Sequence, residues 1–144
     1  MWICNKQKIC SIEHIPANSY GFIYEIVNLT NGKRYIGKKV LQFKRKKAFG
    51  KKKIESLEDK RLKKYEVVVK ESDWLTYTGS NKELNEDILK GDKIEKYILC
   101  FAENARDLTY LETKYLFINE VLEKDNYYNG NILSKFFKKK KDAK

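Results

Sequence analysis

The chain is predicted to fold as a small α+β domain with a basic insertion after its second strand. Three features support this class: a strand pair rich in aromatic and β-branched residues at 21–41, a capped helix at 81–90, and a longer amphipathic helix at 107–123. A chain of 144 residues can form one hydrophobic core and leaves little room for a second.

The strand pair is the strongest local signal. Residues 21–28 (GFIYEIVN) and 33–41 (KRYIGKKVL) have the composition of strands. Asn31-Gly32 lies between them, and Asn-Gly between two such runs is typical of a hairpin turn. These residues therefore predict an antiparallel hairpin.

The register of this hairpin follows from a turn centred on Asn31-Gly32. That centre places Tyr24 opposite Lys39, and directly opposed residues share a face. Alternate residues of a strand also share a face, so Tyr35, four residues before Lys39, lies on the same face as Tyr24. Gly37 leaves an opening where another backbone can approach. Two phenols, an amine and a glycine gap on one face would suit a phosphate, although strand tyrosines are more often packing residues.

Composition divides the chain into a lead-in at 1–19, a domain at 20–132 and a lysine-rich tail at 133–144. Residues 42–64 are too poor in apolar side chains to fold alone, so we predict an inserted loop or a long hairpin tip. Residues 65–70 (YEVVVK) predict a short strand after this insertion.

The remaining elements follow from caps and periodicity. Ser80-Asn81-Lys82-Glu83 matches a capping box and Gly91 a helix stop, so a short helix is predicted at 81–90. Residues 94–102 (IEKYILCFA) predict a largely buried strand. The helix at 107–123 has an apolar stripe at helical spacing, formed by Leu108, Leu111, Tyr115, Ile118 and Leu122.

Positive charge is concentrated in two strips. Lysine and arginine number 31 against 20 acidic residues, which leaves a net charge of +11. Residues 38–64 hold 13 basic and three acidic side chains, and residues 135–144 hold six lysines and one aspartate. Clustered positive charge favours a nucleic acid partner, although solvated surface also explains a lysine-rich strip.

Several classes of protein are excluded by composition. No apolar run approaches the ~20 residues that span a bilayer, and the first residues lack the apolar core of a signal peptide. Cys4, Cys10 and Cys100 form no C-x-x-C pair, which argues against a disulfide framework and a cysteine zinc site. His14 is the only histidine, so a histidine pair is excluded. We expect a cytoplasmic protein, in the host cell if a phage encodes it.

Glu112 interrupts the apolar stripe of the second helix. It lies four residues after Leu108 and three before Tyr115, and therefore on the inward side. An inward carboxylate is costly unless it is paired or binds a metal. At a sheet edge it could bind a hard divalent cation such as Mg²⁺, and a salt bridge with a lysine is an equally good explanation.

These residues resemble the signature of the GIY-YIG nuclease family. Gly21-Phe22-Ile23-Tyr24 corresponds to the first element, with Phe22 as an additional residue, and Tyr35-Ile36-Gly37 is the second element unaltered. Asn31-Gly32-Lys33 is also typical of the family. Three downstream features follow the family's order, namely Thr78-Gly79-Ser80, the helix with Glu112, and Tyr128-Asn129. The resemblance covers about residues 21–130.

The resemblance implies a small antiparallel sheet flanked by helices and a DNA endonuclease that depends on Mg²⁺, for which Mn²⁺ can substitute. It implies that Tyr24 is the base or proton relay for the attacking water and that Tyr35 orients the phosphate or that water. It further implies that Glu112 ligates the single metal ion and that Asn129 supports the metal side of the site. A phenol with a pKa near ~10 is a poor base at neutral pH unless a cation lowers that pKa. Lys39 could do so, or could bind the phosphate directly.

One departure from the family concerns its arginine, which usually lies on a short helix. Arg45 has the family's spacing after the YIG tyrosine, but here the lysine-rich run around it indicates an extended strand or loop. Arg45 is our candidate to neutralise the phosphate, with Arg61 and Lys44 as rivals. The histidine of some members is absent, and Tyr77 or Thr78 lies near its position.

The predicted contacts to DNA come from the two basic strips. The candidate residues are Lys38, Lys44, Lys46, Lys47, Lys51, Lys52, Lys53, Lys138, Lys139 and Lys140. Such contacts mostly reach phosphates, so they predict steep salt dependence and little sequence specificity.

The leading hypothesis is an endonuclease of the homing or mobile-element type. Cleavage of both strands would need a homodimer, a helper protein or two successive events. A non-catalytic nucleic-acid-binding protein on a decayed nuclease scaffold is the main alternative. A basic protein associated with ribosomes or RNA would explain the charge but not the inward polar residues.

Overall fold

A computed structural model describes residues 1–48, 50 and 65–139 of the chain. Its strands are β1 (Trp2–Cys4), β2 (Gln7–Ile9), β3 (Gly21–Asn28), β4 (Arg34–Val40), β5 (Gln42–Ala48), β6 (Tyr65–Glu71), β7 (Ile94–Ala102), β8 (Asn131–Ile132) and β9 (Phe136–Phe137). Its helices are α1 (Lys82–Lys90) and α2 (Ala105–Ile118), with a 3-10 turn at Ile12–His14. The α+β class predicted from sequence is confirmed.

A five-stranded sheet in the order β2-β1-β7-β3-β4 forms the centre of the fold. All neighbours are antiparallel except β1 and β7, which are parallel. The sheet is therefore mixed, and β4 is one of its edge strands. No helix among the described residues is both long and apolar enough to cross a membrane.

Residues 2–4 and 7–9 form two strands of this sheet, so the lead-in predicted at 1–19 begins with regular structure that the sequence analysis did not predict. β1 inserts Trp2 into the core, where its Nε1 donates to the carbonyl of Trp74 at 2.7 Å. β1 and β2 have three residues each, which is too short for alternating hydrophobicity to be recognised.

The hairpin of β3 and β4 forms as predicted, but its register is shifted by two residues. Asn28 Oδ1 accepts hydrogen bonds from the backbone N–H groups of Thr30 and Asn31, so the turn begins earlier than an Asn31-Gly32 centre requires. Gly32 closes the turn at φ +76°. Tyr24 consequently lies opposite Gly37, and Lys39 lies opposite Phe22.

The two faces of the sheet contribute to two hydrophobic clusters. The first cluster contains Trp2, Phe22, Tyr24, Ile26, Leu41, Trp74, Leu84 and Ile98. The second lies under α2 and contains Ile23, Ile36, Leu108, Leu116 and Val121. Residues of β3 and β4 thus alternate between the two clusters, as the period of two of a strand requires.

Both helices are present with shifted ends. Asn81, not Ser80, caps α1 by accepting from the N–H of Leu84, and Gly91 ends the helix in the left-handed region as predicted. The strand predicted at 94–102 has the bounds of β7. Helix α2 begins at Ala105 and ends at Ile118, and Ile118 is exposed rather than part of the buried stripe.

The basic insertion begins as a two-stranded ribbon. β5 pairs with β6 in antiparallel register from Gln42↔Glu71 to Ala48↔Tyr65. The predicted strand at 65–70 is confirmed, and the extended conformation predicted around Arg45 is strand β5. Residues 49 and 51–64 of the insertion lie outside the described part of the chain.

Candidate active site

The candidate site is built around the edge strand β4. Backbone N–H groups of Arg34, Ile36 and Lys38 point away from β3 and have partners outside the sheet. Arg34 donates to the carbonyl of Asn126 at 2.8 Å, and Ile36 donates to Asn129 Oδ1 at 3.1 Å. The backbone N–H of Lys38 faces the Glu112 carboxylate and lowers the pKa of that group. Consecutive outward positions of one strand therefore hold Asn129 and Glu112.

Asn129 acts as a clamp on the β4 backbone. Its Oδ1 accepts from Ile36 N–H, and its Nδ2 donates to the Ile36 carbonyl at 2.8 Å. The side chain is buried. Both amide groups are thus engaged at the residue between Tyr35 and Gly37, which makes Asn129 a positioning residue in this structure.

A hydrogen-bonded network anchors the segment that carries Asn129. The Tyr128 hydroxyl donates to Asp87 on α1 at 2.6 Å and accepts from Asn28 and Asn31 at 3.0 and 3.1 Å. The hairpin turn, α1 and the 126–129 segment are thereby tied together. This arrangement fixes the distance between the β4 edge and Asn129.

Tyr24 projects from β3 into the first cluster and is 1% exposed. Burial raises the pKa of its phenol far above the ordinary value, and the nearby Tyr35, Tyr77 and Glu112 raise it further. The hydroxyl is therefore protonated at neutral pH. The opening predicted at Gly37 is filled by this phenol, because a Cβ at Gly37 would lie 2.5 Å from Tyr24 Oη.

Tyr77 is a site residue that the sequence indicated only by its position near the family histidine. Its ring meets the ring of Tyr24 edge to face, with centroids 6.0 Å apart. Tyr77 is half-buried, whereas Tyr24 is buried.

Lys39 shares a face with Tyr24, as predicted, but it is not directly opposite that tyrosine. Its Nζ lies over the Tyr77 ring at 4.0 Å from the centroid and forms an ion pair with Asp73 at 2.6 Å. The two-residue shift of the hairpin register accounts for this difference. The Tyr77 ring therefore contacts both the Lys39 ammonium and the Tyr24 ring.

Tyr35 lies beside Tyr24 and is the more exposed of the two, with ring centroids 6.2 Å apart. Its hydroxyl is 3.2 Å from Ser80 Oγ. Gly79 adopts φ +83° above both phenols, where a Cβ would lie 3.2 Å from the Tyr35 ring. The Thr78-Gly79-Ser80 segment thus covers the tyrosine pair. Only glycine fits at position 79, because a Cβ there would crowd the Tyr35 ring and the backbone is left-handed.

Lys96 braces the loop that carries Tyr77 and was not identified from sequence. Its Nζ donates to the carbonyls of Leu75 and Tyr77 at 3.0 and 2.8 Å and lies 4.2 Å from the centroid of the Trp2 ring. The residue is 7% exposed, and burial lowers its pKa to about 8. The only signal in the sequence is a lysine within the otherwise apolar centre of IEKYILCFA.

Glu112 lies on α2 between Leu108 and Leu116, one turn from each, and is half-buried as the helical projection predicts. Burial raises the pKa of its carboxyl, whereas the charge and the backbone N–H of Lys38 lower it. The Lys38 ammonium itself donates to Thr109 at 2.9 Å. Glu112 therefore combines burial with weak charge compensation.

A polar cavity of about 330 Å³ adjoins these groups. Its lining includes Tyr35, Ser80, Glu112 and Asn129. No group of three or more His, Cys, Asp or Glu side chains lies together among the described residues. One carboxylate beside hydroxyls and open space fits Mg²⁺, which usually keeps several waters and takes one or two protein carboxylates.

The structure describes the side chains of only some of the predicted DNA-binding residues. Lys44 and Lys139 are exposed. Lys138 donates to the carbonyls of Lys124 and Tyr127. Arg45, Lys46 and Lys47 occupy β5, but their side chains lie outside the described part of the structure, as do Lys51, Lys52, Lys53, Arg61 and Lys140.

Comparison with known proteins identifies the family. The family model described as "Putative endonuclease segE, GIY-YIG domain" matches residues 2–132. No curated protein and no solved structure matches the chain. The matched range includes β1 and β2 as well as the tyrosine hairpin, Glu112 and Asn129. The chain therefore belongs to the GIY-YIG endonuclease family.

Proposed function

We propose that this chain is a metal-dependent DNA endonuclease of the homing or mobile-element type. The observation that carries the proposal is the meeting of unlike groups at the edge of β4. The phenols of Tyr24 on β3 and Tyr35 on β4 share one face of the sheet, and the half-buried carboxylate of Glu112 reaches β4 from the helix on the other face. Phosphodiester hydrolysis needs a proton acceptor for water and charge compensation at the phosphate, which such a set can provide.

Tyr24 serves as the proton relay rather than as a preformed base. Its raised pKa keeps the phenol protonated, so it accepts a proton from water only as it transfers its own. The neighbouring phenol of Tyr77 would take that second proton only as its own proton passes to solvent, so that neither phenol carries an extra proton. The half-buried Tyr77 then exchanges with solvent.

Tyr35 orients the phosphate or the attacking water. It lines the polar cavity, and the ring of the buried Tyr24 packs beside its ring with centroids 6.2 Å apart. The contact with Ser80 holds its hydroxyl at the cavity, and Asn129 holds the backbone that carries it.

Glu112 binds the divalent cation, with Ser80 and Tyr35 close to the same cavity. A bound Mg²⁺ or Mn²⁺ would compensate charge on the phosphate and lower the pKa of a coordinated water. The backbone N–H of Lys38 faces this carboxylate at the strand edge. Asn129 supports this side of the site through β4.

Arg45 remains our candidate to neutralise the phosphate. Replacing it with alanine is expected to abolish efficient cutting, and an Arg45→Ala variant that cuts at the normal rate would assign the role to another basic residue. Lys39 assists through the Tyr77 ring. A Lys39→Met variant with an unchanged turnover and pH–rate profile would show that this assistance is wrong.

The substrate is DNA, held mainly through phosphates by the two basic strips. Binding should therefore weaken steeply as salt increases. Each chain carries one candidate site, so cutting both strands requires a homodimer, a helper protein or two events. A long unique cut site recognised by this chain alone would contradict the weak specificity expected from phosphate contacts.

The test is nicking of supercoiled plasmid by the wild-type chain with Mg²⁺, with Mn²⁺ and with EDTA, alongside Glu112→Ala. We expect nicking only by the wild-type chain with metal. Glu83→Ala is the matched control, because Glu83 is an exposed carboxylate on α1 that pairs with Lys33. DNA binding without metal-dependent nicking would favour a decayed scaffold over an enzyme.

A further inference from the structure

The ribbon of β5 and β6 has the dimensions of an element that enters a nucleic acid groove. Seven residue pairs join the strands, which gives a length of roughly 20 Å at about 3.3 Å per residue. The major groove of B-form DNA is about 12 Å wide and admits a two-stranded ribbon. The ribbon is separate from the central sheet and forms its own two-stranded sheet.

Neither face of the ribbon packs against the body along β6. Val67 and Val69 are each 55% exposed, and Val68, whose side chain points to the opposite face, is also exposed. An isolated two-stranded ribbon is marginally stable in water, and exposed valines on both faces add nothing to a core. Their exposure indicates a partner with apolar groups.

The charge of the ribbon identifies the partner as a polyanion. β5 carries four consecutive basic residues at 44–47, and Lys70 lies on β6. Two acidic residues, Glu66 and Glu71, are the only opposing charges in the paired segments. Glu71 lies at the base of the ribbon, where it accepts a hydrogen bond from Trp74 Nε1 at 2.7 Å.

The two strands provide different chemistry in the same register. Lys44 pairs with Val69, and Lys46 occupies the position opposite Val67. A basic strand therefore lies beside an apolar strand. The DNA major groove presents the same combination, because phosphates line its rims and the 5-methyl groups of thymine lie on its floor. The corresponding groove of RNA is too deep and narrow for side chains to read.

The base of the ribbon is attached to the strand that organises the candidate active site. Ser72 N–H donates to the carbonyl of Leu41 at 2.8 Å, and its hydroxyl donates to the carbonyl of Val40. Asp73 pairs with Lys39 on β4. A duplex held by the ribbon is consequently held at β4.

We propose that the β5–β6 ribbon enters the major groove of the DNA substrate and places Val67 and Val69 against thymine methyl groups. This inference rests on the proposed function, since it takes DNA as the ligand. Charge alone would assign the ribbon to contacts with phosphates. The proposal adds contacts between the ribbon and the bases. Preference for thymine-containing sequence follows from it.

The first experiment is dimethyl sulfate footprinting with the Glu112→Gln variant on a mixed-sequence duplex. The reagent methylates guanine N7 in the major groove and adenine N3 in the minor groove. We expect protection of guanine N7 only. Binding that protects adenine N3 alone, or neither atom, would overturn the proposal.

The second experiment compares affinities for a thymine duplex and for the same duplex with uracil, at one fixed salt concentration. Each contacted methyl contributes about 0.8 kcal/mol, so its removal should weaken binding about four-fold. The Val67→Ser/Val69→Ser variant should bind both duplexes equally. Leu89→Ser is the matched control, because Leu89 is an 88% exposed apolar residue on α1, and it should keep the thymine preference.

These outcomes separate the two proposals. Plasmid nicking without guanine N7 protection would overturn the role of the ribbon and leave the nuclease proposal standing. Protection of guanine N7 without any nicking would support the role of the ribbon and overturn the nuclease proposal. A concentration-dependent dimer that forms without DNA and is lost in Val67→Ser/Val69→Ser would assign the ribbon to a second copy of this chain and overturn the proposal.

Discussion

Replacing Gly37 with alanine tests the packing on which the tyrosine pair depends. The new Cβ would lie 2.5 Å from Tyr24 Oη, 2.7 Å from Tyr24 Cζ and 3.1 Å from Tyr35 Cε1. Optimal contacts between carbon atoms are about 3.5–4.0 Å. Tyr24 cannot move away easily, because it is packed against Trp2, Phe22 and Tyr77.

Two opposing effects determine how much Gly37→Ala changes the free energy of unfolding. Overpacking a well-filled site costs about 1–3 kcal/mol, whereas replacing a strand glycine with alanine recovers about 0.5–1 kcal/mol. We therefore expect the free energy of unfolding to fall by about 1–2 kcal/mol. Because the Tyr24 hydroxyl must shift by about 1 Å, we expect the nicking rate to fall by about 10²-fold.

Urea denaturation measures the first effect and plasmid nicking under saturating DNA measures the second. Gly50→Ala is the matched control, because its Cβ meets no atom of the described residues within 4 Å. Adding Tyr24→Phe to Gly37→Ala removes the closest atom and should recover part of the lost stability but none of the activity. A Gly37→Ala variant as stable and as active as the wild-type chain would refute the packing argument.

Three further predictions follow from the site. Tyr77→Phe keeps the ring contact but removes the acceptor for the Tyr24 proton, so nicking should fall by about 10²-fold with stability retained; a rate within about two-fold of wild type would exclude the relay. Asn129→Ala leaves the N–H and carbonyl of Ile36 without partners and should lower the free energy of unfolding in urea by about 2–3 kcal/mol; a loss below about 0.5 kcal/mol would contradict the clamp. The pKa of Lys96 is lowered from 10.5 to about 8 in the folded chain, so between these values the unfolded chain binds more protons and the contribution of Lys96 to stability rises with pH. The difference in unfolding free energy between the wild-type chain and Lys96→Met should thus increase by about 2 kcal/mol from pH 8 to pH 10; a constant difference would show that Lys96 titrates normally.

Elements with strong local signals were predictable from sequence. The composition of β3 and β4, the cap and stop of α1 and the continuous apolar run of β7 each lie within one short segment. The inward side of Glu112 was predictable for the same reason, because helical spacing alone places it between Leu108 and Leu116. The family signature lies in these same segments.

Features that depend on distant partners were not predictable. Strand β1 has three residues and is held by a parallel pairing between Ile3 and Tyr97, almost a hundred residues apart. The hairpin register depended on the side chain of Asn28, which begins the turn earlier than the Asn-Gly pair indicates. Because a shift by two residues preserves the faces, Tyr24 and Tyr35 still share one side while Lys39 moves to a different partner.

The sequence by itself determined the α+β class, the family and the residue types available for chemistry, because composition and spacing are local properties. Only the tertiary structure decided how those residues act together. Edge strand β4 meets Tyr24 on one face, Glu112 from the other and Asn129 along its free edge. That convergence depends on three segments far apart in the chain, and burial within it raises the pKa values of both Tyr24 and Glu112.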